Sequence, residues 1–134
     1  FGSQCIVGAV DAKKNNNTTW TVYSHGGTKN TGINAIQWMK RLENLGVGEI
    51  LLTSMDKDGT KDGFDLELLK KASDELTIPI IASGGAGKLR HFKDGVILGK
   101  ADALLAASVF HFGEISIHHV KDYLSKAGIK VRID

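Results

Sequence analysis

A short apolar run followed by an amphipathic helical stripe occurs four times along this chain, and that repetition limits the fold more than any other feature. The apolar runs are residues 5–10 (CIVGAV), 49–53 (EILLT), 78–82 (IPIIA) and 103–107 (ALLAA). The stripes behind them are Ile33, Ile36, Met39, Leu42 and Leu45; Leu68, Leu69, Ala72 and Leu76; Leu89, Phe92 and Val96; and Ile117, Val120, Leu124 and Ala127. Strands alternating with helices predict an α/β fold with right-handed crossovers and a parallel sheet. Eight such units close a (β/α)₈ barrel, or TIM barrel, of roughly 250 residues. With 134 residues the chain holds half that number. It is predicted to be a (βα)₄ half-barrel, one domain over 1–134 with no internal boundary.

Local signals refine the reading. Residues 5–10 are expected to be a strand buried on both faces, as parallel strands are, ending at Asp11. Residues 20–23 alternate β-formers and predict a small hairpin excursion, with 28–32 as a polar loop. Gly46, Gly99 and Gly128 fall where helices stop. Pro79 lies at the start of its strand, where it removes no central ladder bond. Residues 109–112 have the length of a short extra helix. The chain opens Phe1-Gly2-Ser3-Gln4 without Met, as a segment cut from a longer frame, or a processed one, would.

Composition excludes several classes of function. The net charge is +2, and the 17 Lys and Arg are scattered. No basic run supports a nucleic-acid or membrane-surface role. Apolar residues are 42%, and no run approaches the roughly 20 needed to span a bilayer. Cys5 is the single cysteine, so no intrachain disulfide can form, and a reducing, cytoplasmic setting is expected. Cys5 itself reads as core rather than nucleophile, and Trp20 and Trp38 as packing.

In parallel α/β folds chemistry gathers beyond the carboxyl ends of the strands. Those positions carry Asp11, Thr53-Ser54, Ser83-Gly84-Gly85 and Ser108, all small or polar. Residues 83–87 (SGGAG) lie between a strand and a helix, where glycines let backbone approach an anion and N–H groups point at it. A plain βα turn explains the same residues. Ser108 on the next strand tilts the balance towards a phosphate site, because loops after two adjacent strands form that site in (β/α)₈ barrels. Asp11 in a partly dry mouth suits a general acid or base, or else caps a turn. Residues 56–63 (DKDGTKDG) resemble a calcium loop but fail its spacing: counted from Asp58, the twelfth position is Leu69, not Glu. A ligand-covering loop or a solvated turn remains. His25, His91 and His111 are isolated and His118-His119 diverge on a helix, so no metal site is expected.

At these residues the chain resembles a known family. The runs at 11–13 (DAK), 29–32 (KNTG), 48–56 (GEILLTSMD), 58–61 (DGTK), 81–87 (IASGGAG) and 106–112 (AASVFHF) look like the C-terminal half of the cyclase subunit of imidazole glycerol phosphate synthase. A sister isomerase of the same pathway shares the barrel but differs at Thr53-Ser54-Met55-Asp56 and Gly63-Phe64-Asp65. The resemblance implies a lyase of histidine biosynthesis. That enzyme uses ammonia to convert a phosphoribulosyl-formimino-carboxamide ribotide into imidazole glycerol phosphate and an aminoimidazole carboxamide ribotide. It implies that Asp11 is one of two catalytic aspartates. Asp58, Gly59, Gly84, Gly85, Ala107 and Ser108 would line one phosphate site, Thr53 and Ser83 would line the mouth, and Glu49 would stand near the ammonia entrance. No cofactor is implied. The family's ammonia comes from a glutaminase docked at the other end of the barrel.

The family's first aspartate and second phosphate site belong to the N-terminal half, which this sequence does not contain. Weak or absent turnover is therefore expected from this half alone. Two copies would supply a barrel's worth of chain. A homodimer is predicted, with the first strand of each copy beside the fourth of the other, through an isologous contact that hides open sheet edges. It would place two Asp11 carboxylates and two phosphate sites around one mouth, ready for a bis-phosphorylated ligand. A non-catalytic phosphosugar-binding half-barrel, an assembly fragment, and an open flavodoxin-like sheet are the alternatives.

Overall fold

The computed structural model describes residues 6–15, 18–105 and 117–129. Its elements are β1 (Val7–Lys14), β2 (Trp20–Ser24), β3 (Lys29–Asn34), α1 (Ala35–Asn44), β4 (Glu49–Ser54), α2 (Leu66–Glu75), β5 (Ile80–Ser83), α3 (Leu89–Ile97), β6 (Ala103–Leu105) and α4 (Ile117–Lys126). One six-stranded sheet runs in the order β3-β2-β1-β4-β5-β6. Strands β1, β4, β5 and β6 are parallel neighbours, whereas β2 and β3 form an antiparallel hairpin against β1. These are the four βα units that the sequence predicts, in a sheet that is not closed. The molecule is a (βα)₄ half-barrel.

Three expectations about the elements are corrected. β1 continues to Lys14, so Asp11 lies within the strand and not at its last residue. The hairpin causes this, because Asp11 to Lys14 pair with Tyr23 to Trp20. The polar stretch 28–32 is mostly strand β3, drawn in by pairing with β2. Ile33 belongs to β3, and α1 begins two residues later, where Asn34 Oδ1 caps the Gln37 N–H at 3.0 Å.

The helix stops follow backbone chemistry. Gly46, at φ +99, donates to Glu43 O, and Val47 donates to Leu42 O. This is the paired closure that a left-handed residue allows after a helix. After α3 the left-handed residue is Lys100 (φ 59) rather than Gly99. Gly99 instead lies tight against Gly95 O and Leu69, where a Cβ would collide.

Packing is one-sided. Val10, Ala12, Ile50, Leu52, Ile80 and Ala82 alternate along their strands and are buried in one core with Met39, Leu68, Ala72 and Phe92 of the helices. Their neighbours Val7, Ala9, Leu51 and Ile81 point to the other face. Val7 and Ala9 are exposed, and Leu51 and Ile81 are half-buried. β1 is thus buried on one face, not two. The described helices cover a single side, and the side left bare among the described residues is the one that opposing strands fill in a closed barrel. Trp20 is a core residue and the partly buried Trp38 packs against the core, so both serve packing, as expected.

Candidate functional site

Register creates the site. Asp11 pairs with Thr53, and Thr53 with Ser83, across three parallel strands. All three sit on the bare face near the carboxyl end, with neighbouring backbones about 4.8 Å apart. The expected mouth residues Asp11, Thr53 and Ser83 therefore form one polar row about 10 Å across. Behind it, a second row of Ala9, Leu51, Ile81 and Ala103 is apolar. Glu49 pairs with Val7 at the opposite end of the same face, four residues from Thr53. It is half-buried. Asp11, the acid-or-base candidate, is thus separated from Glu49 by a band of hydrocarbon.

Ser54 takes the other direction. Strand alternation turns it towards the helices, and it is 2% exposed. Its Oγ donates to Asp65 Oδ2 at 3.2 Å and accepts from the Lys57 N–H at 3.3 Å. Asp65 in turn caps α2 through Oδ1 and the Leu68 N–H. Ser54 thus fixes the loop between β4 and α2, whereas Thr53 faces the mouth.

That loop lies on the glycine-rich turn. Gly63 N donates to Gly85 O at 2.7 Å, and Asp58 N donates to Ser54 O at 2.9 Å. A Cβ on Gly85 would fall 2.0 Å from Gly63 O, and one on Gly84 2.7 Å from Ser54 O. Gly87 is pressed equally hard against Lys61. The glycines therefore have a reason beyond anion approach, because they admit the neighbouring loop. The same contact brings the exposed Asp58 beside the buried Gly84, whose Cβ position would lie 3.4 Å from Asp58 N, while the exposed Gly59 next to it faces open space. Asp58, Gly84 and Gly85, all expected phosphate-site residues, thus meet at one place on the rim. Ala107 and Ser108, like Cys5, His111 and the short helix expected at 109–112, lie outside the described residues.

In the sequence His91 stands as an isolated histidine, yet the structure places it beneath this rim. It is the third residue of α3 and is 6% exposed. Its Nδ1 accepts the N–H groups of Gly87 at 2.9 Å and Lys88 at 3.0 Å. Its other edge packs on Gly63, where an added Cβ would lie 3.3 Å from Cδ2 and 3.6 Å from Nε2. Burial, then the charges of Arg90 and Lys88, pulls its pKa below the usual imidazole value, against the opposing pull of Asp94 and Asp62. The signal in the sequence was its offset. A side chain with an acceptor three residues after a helix cap occupies the reciprocal position of a capping box.

A cleft of about 510 Å³ lies elsewhere, between the hairpin and helices α1 and α2, lined in part by Thr18, Trp20, Asn34, Lys40 and Lys71. None of the expected site residues lines it. Lys40 is paired with Glu75 at 3.2 Å, and the Lys14 and Lys71 ammonium groups lie 5.6 and 5.5 Å from the Trp20 ring centre. Among the described residues no group of three or more His, Cys, Asp or Glu is arranged to hold a metal ion. No described helix is long and apolar enough to cross a membrane.

The polar row, the apolar band beneath it and the glycine turn under the Asp58 loop belong to the sheet's carboxyl end, where (β/α)₈ enzymes keep their chemistry. The family model described as "Histidine biosynthesis protein" matches residues 1–116, and the chain belongs to that histidine biosynthesis family.

Proposed function

We propose that this chain carries one half of the cyclase machinery that its sequence resembles. On this reading Asp11 is a general acid or base acting on the substrate, and Thr53 and Ser83 hold polar groups beside it. One phosphate of a bis-phosphorylated substrate sits over Gly84 and Gly85, beneath the Asp58-Gly59 loop, with Ala107 and Ser108 completing its cradle. Ammonia enters from the end where Glu49 stands and crosses the band of Leu51 and Ile81. The observation that carries this reading is the side-by-side register of Asp11, Thr53 and Ser83 on a face that no described helix covers. A carboxylate in such a row, walled by a partner half, is placed to move protons in a water-poor mouth.

The bare face asks for a partner, and a second copy of this chain supplies one of matching shape. Among the described residues, the outer edge of β1 is paired only from Asp11 onward. Val7 to Val10 are left for a strand from the partner. Ile6 and Val7 are 50% and 51% exposed there. In such a dimer the partner's Asp11 serves as the second carboxylate. The glutaminase of the cyclase family would dock at the Glu49 end.

The chain, in whatever assembly it forms, is tested with the formimino ribotide and ammonium, following release of both products. Turnover that falls about 100-fold or more in Asp11→Asn, with bis-phosphate affinity held within about two-fold, supports the reading. Bis-phosphate binding without turnover by the parent chain would identify a non-catalytic phosphosugar-binding half. Absence of binding would end the reading.

A further inference from the structure

His91 touches both loops that build the proposed anion site. Through Nδ1 it accepts two N–H groups of the glycine turn, and through its other edge it supports Gly63. Gly63 is itself bonded to Gly85. Accepting at Nδ1 requires that atom to carry no proton, so the neutral ring is the Nε2–H tautomer. The two N–H groups it accepts lie at the start of α3, and both point inward to the ring. The Lys88 N–H, at the N-cap, is a donor that a helix start would otherwise offer to an anion, and the Gly87 N–H is the last donor of the glycine turn.

Protonation reverses this. Imidazolium carries a hydrogen on both nitrogens and accepts nothing. The Gly87 and Lys88 N–H groups then face a donor and must turn away from it. An anion over the glycine turn is the natural acceptor, and the new positive charge beneath it adds attraction. We propose that His91 is a positioning residue that sets how many of the N–H groups leading into α3 the anion receives: those of Gly87 and Lys88 are withheld when the ring is neutral, and both are released when it is protonated. This rests on the phosphate-site reading of the glycine turn. By linkage, a bound anion must raise the proton affinity of His91 by the factor by which the proton strengthens anion binding. The charged groups facing the ring are Lys88, Arg90 and Asp94 from its own turn and helix, and Asp62 from the opposing loop. Burial first, and then the basic pair, favours the neutral ring, and an anion above it would act in the opposite direction.

Sulfate is the suitable probe, because it remains a dianion between pH 5 and 8 whereas phosphate titrates. Calorimetry on the whole chain should show sulfate binding at least three-fold tighter at pH 5 than at pH 8. His91→Gln keeps an acceptor for the same N–H groups and cannot titrate, and it should lose that slope while retaining the response of the other histidines. Equal slopes in parent and variant would overturn the proposal. In parallel, NMR of the parent chain without sulfate should show the Gly87 and Lys88 amides shifting with the His91 titration. Amides that ignore it would also overturn the proposal, whether or not the variant folds. Sulfate binding to neither chain would refute the anion reading of the turn, and the amide titration would still decide the His91 contact.

Discussion

Glu43 Oε1 receives three hydrogen bonds from the segment that leads into β5: the Thr77 N–H at 2.6 Å, the Thr77 hydroxyl at 2.7 Å and the Ile78 N–H at 3.0 Å. One carboxylate oxygen at the end of α1 thereby closes the turn after α2. The Thr77 hydroxyl foremost, then the backbone donors and Lys40, hold the Glu43 carboxyl below the usual carboxylate range, against the cost of its partial burial.

The sign of the pH effect follows. A carboxylate with a depressed folded pKa stabilises the fold above its unfolded pKa and stops doing so as pH falls through the folded value. Glu43→Gln should cost about 1–2 kcal/mol at neutral pH, discounted for exposure, and very little in strong acid. Urea melts of both chains at pH 7 and pH 3 would check this, and an equal deficit at both pH values would count against it.

His91 gives a second acid-sensitive term. Its folded pKa is also lowered, so the unfolded chain takes up its proton first as pH falls. Stability should decline from the ordinary imidazole range down to the folded pKa and level off below it. His91→Gln should flatten that part of the profile in thermal melts. A decline of unchanged size in the variant would assign the effect to other groups.

Gly85 and Gly26 share a left-handed backbone but differ in surroundings. Gly85 has φ +114 and Gly63 O in the place of a Cβ, whereas Gly26 has φ +68 and open space. Gly85→Ala should destabilise by about 3 kcal/mol or more, since both strain and collision act. Gly26→Ala should cost about 1 kcal/mol, the left-handed penalty alone. Similar losses for the two would mean that the loop over Gly85 yields readily.

The bare face predicts self-association. Light scattering should give the mass of a dimer for the parent chain, and Ala9→Glu should give a folded monomer, because a charge in the closed apolar band has no partner. Circular dichroism reports whether the variant keeps its helices. A stable parent monomer would sink the homodimer.

Much of this was legible in the sequence, because the signals were local. Apolar runs and stripes gave the four units, and Gly46 and the strand tips gave the stops and the rim. What escaped depended on pairing across the chain. Residues 28–32 carry no strand signal of their own and become β3 through their bonds to β2. Thr53 and Ser54 look alike as a pair, yet strand alternation sends one to the mouth and the other to the core. The glycines of 83–87 advertise an anion, while the need to admit the Asp58–Gly63 loop is invisible until both loops are placed. His91 is marked only by its offset from the helix cap, because its partners are backbone N–H groups and no second side chain pairs with it.

The hairpin also governs how the sheet can be extended. A strand arriving beside β1 finds Val7 to Val10 open and then meets Tyr23, already bonded opposite Asp11. It has room for about four residues and a hard stop at the far end. Sliding by one residue would turn every side chain to the wrong side, and sliding further would collide with the hairpin. The excursion of β2 and β3 is therefore a register gauge, which lets a barrel shut in a single alignment.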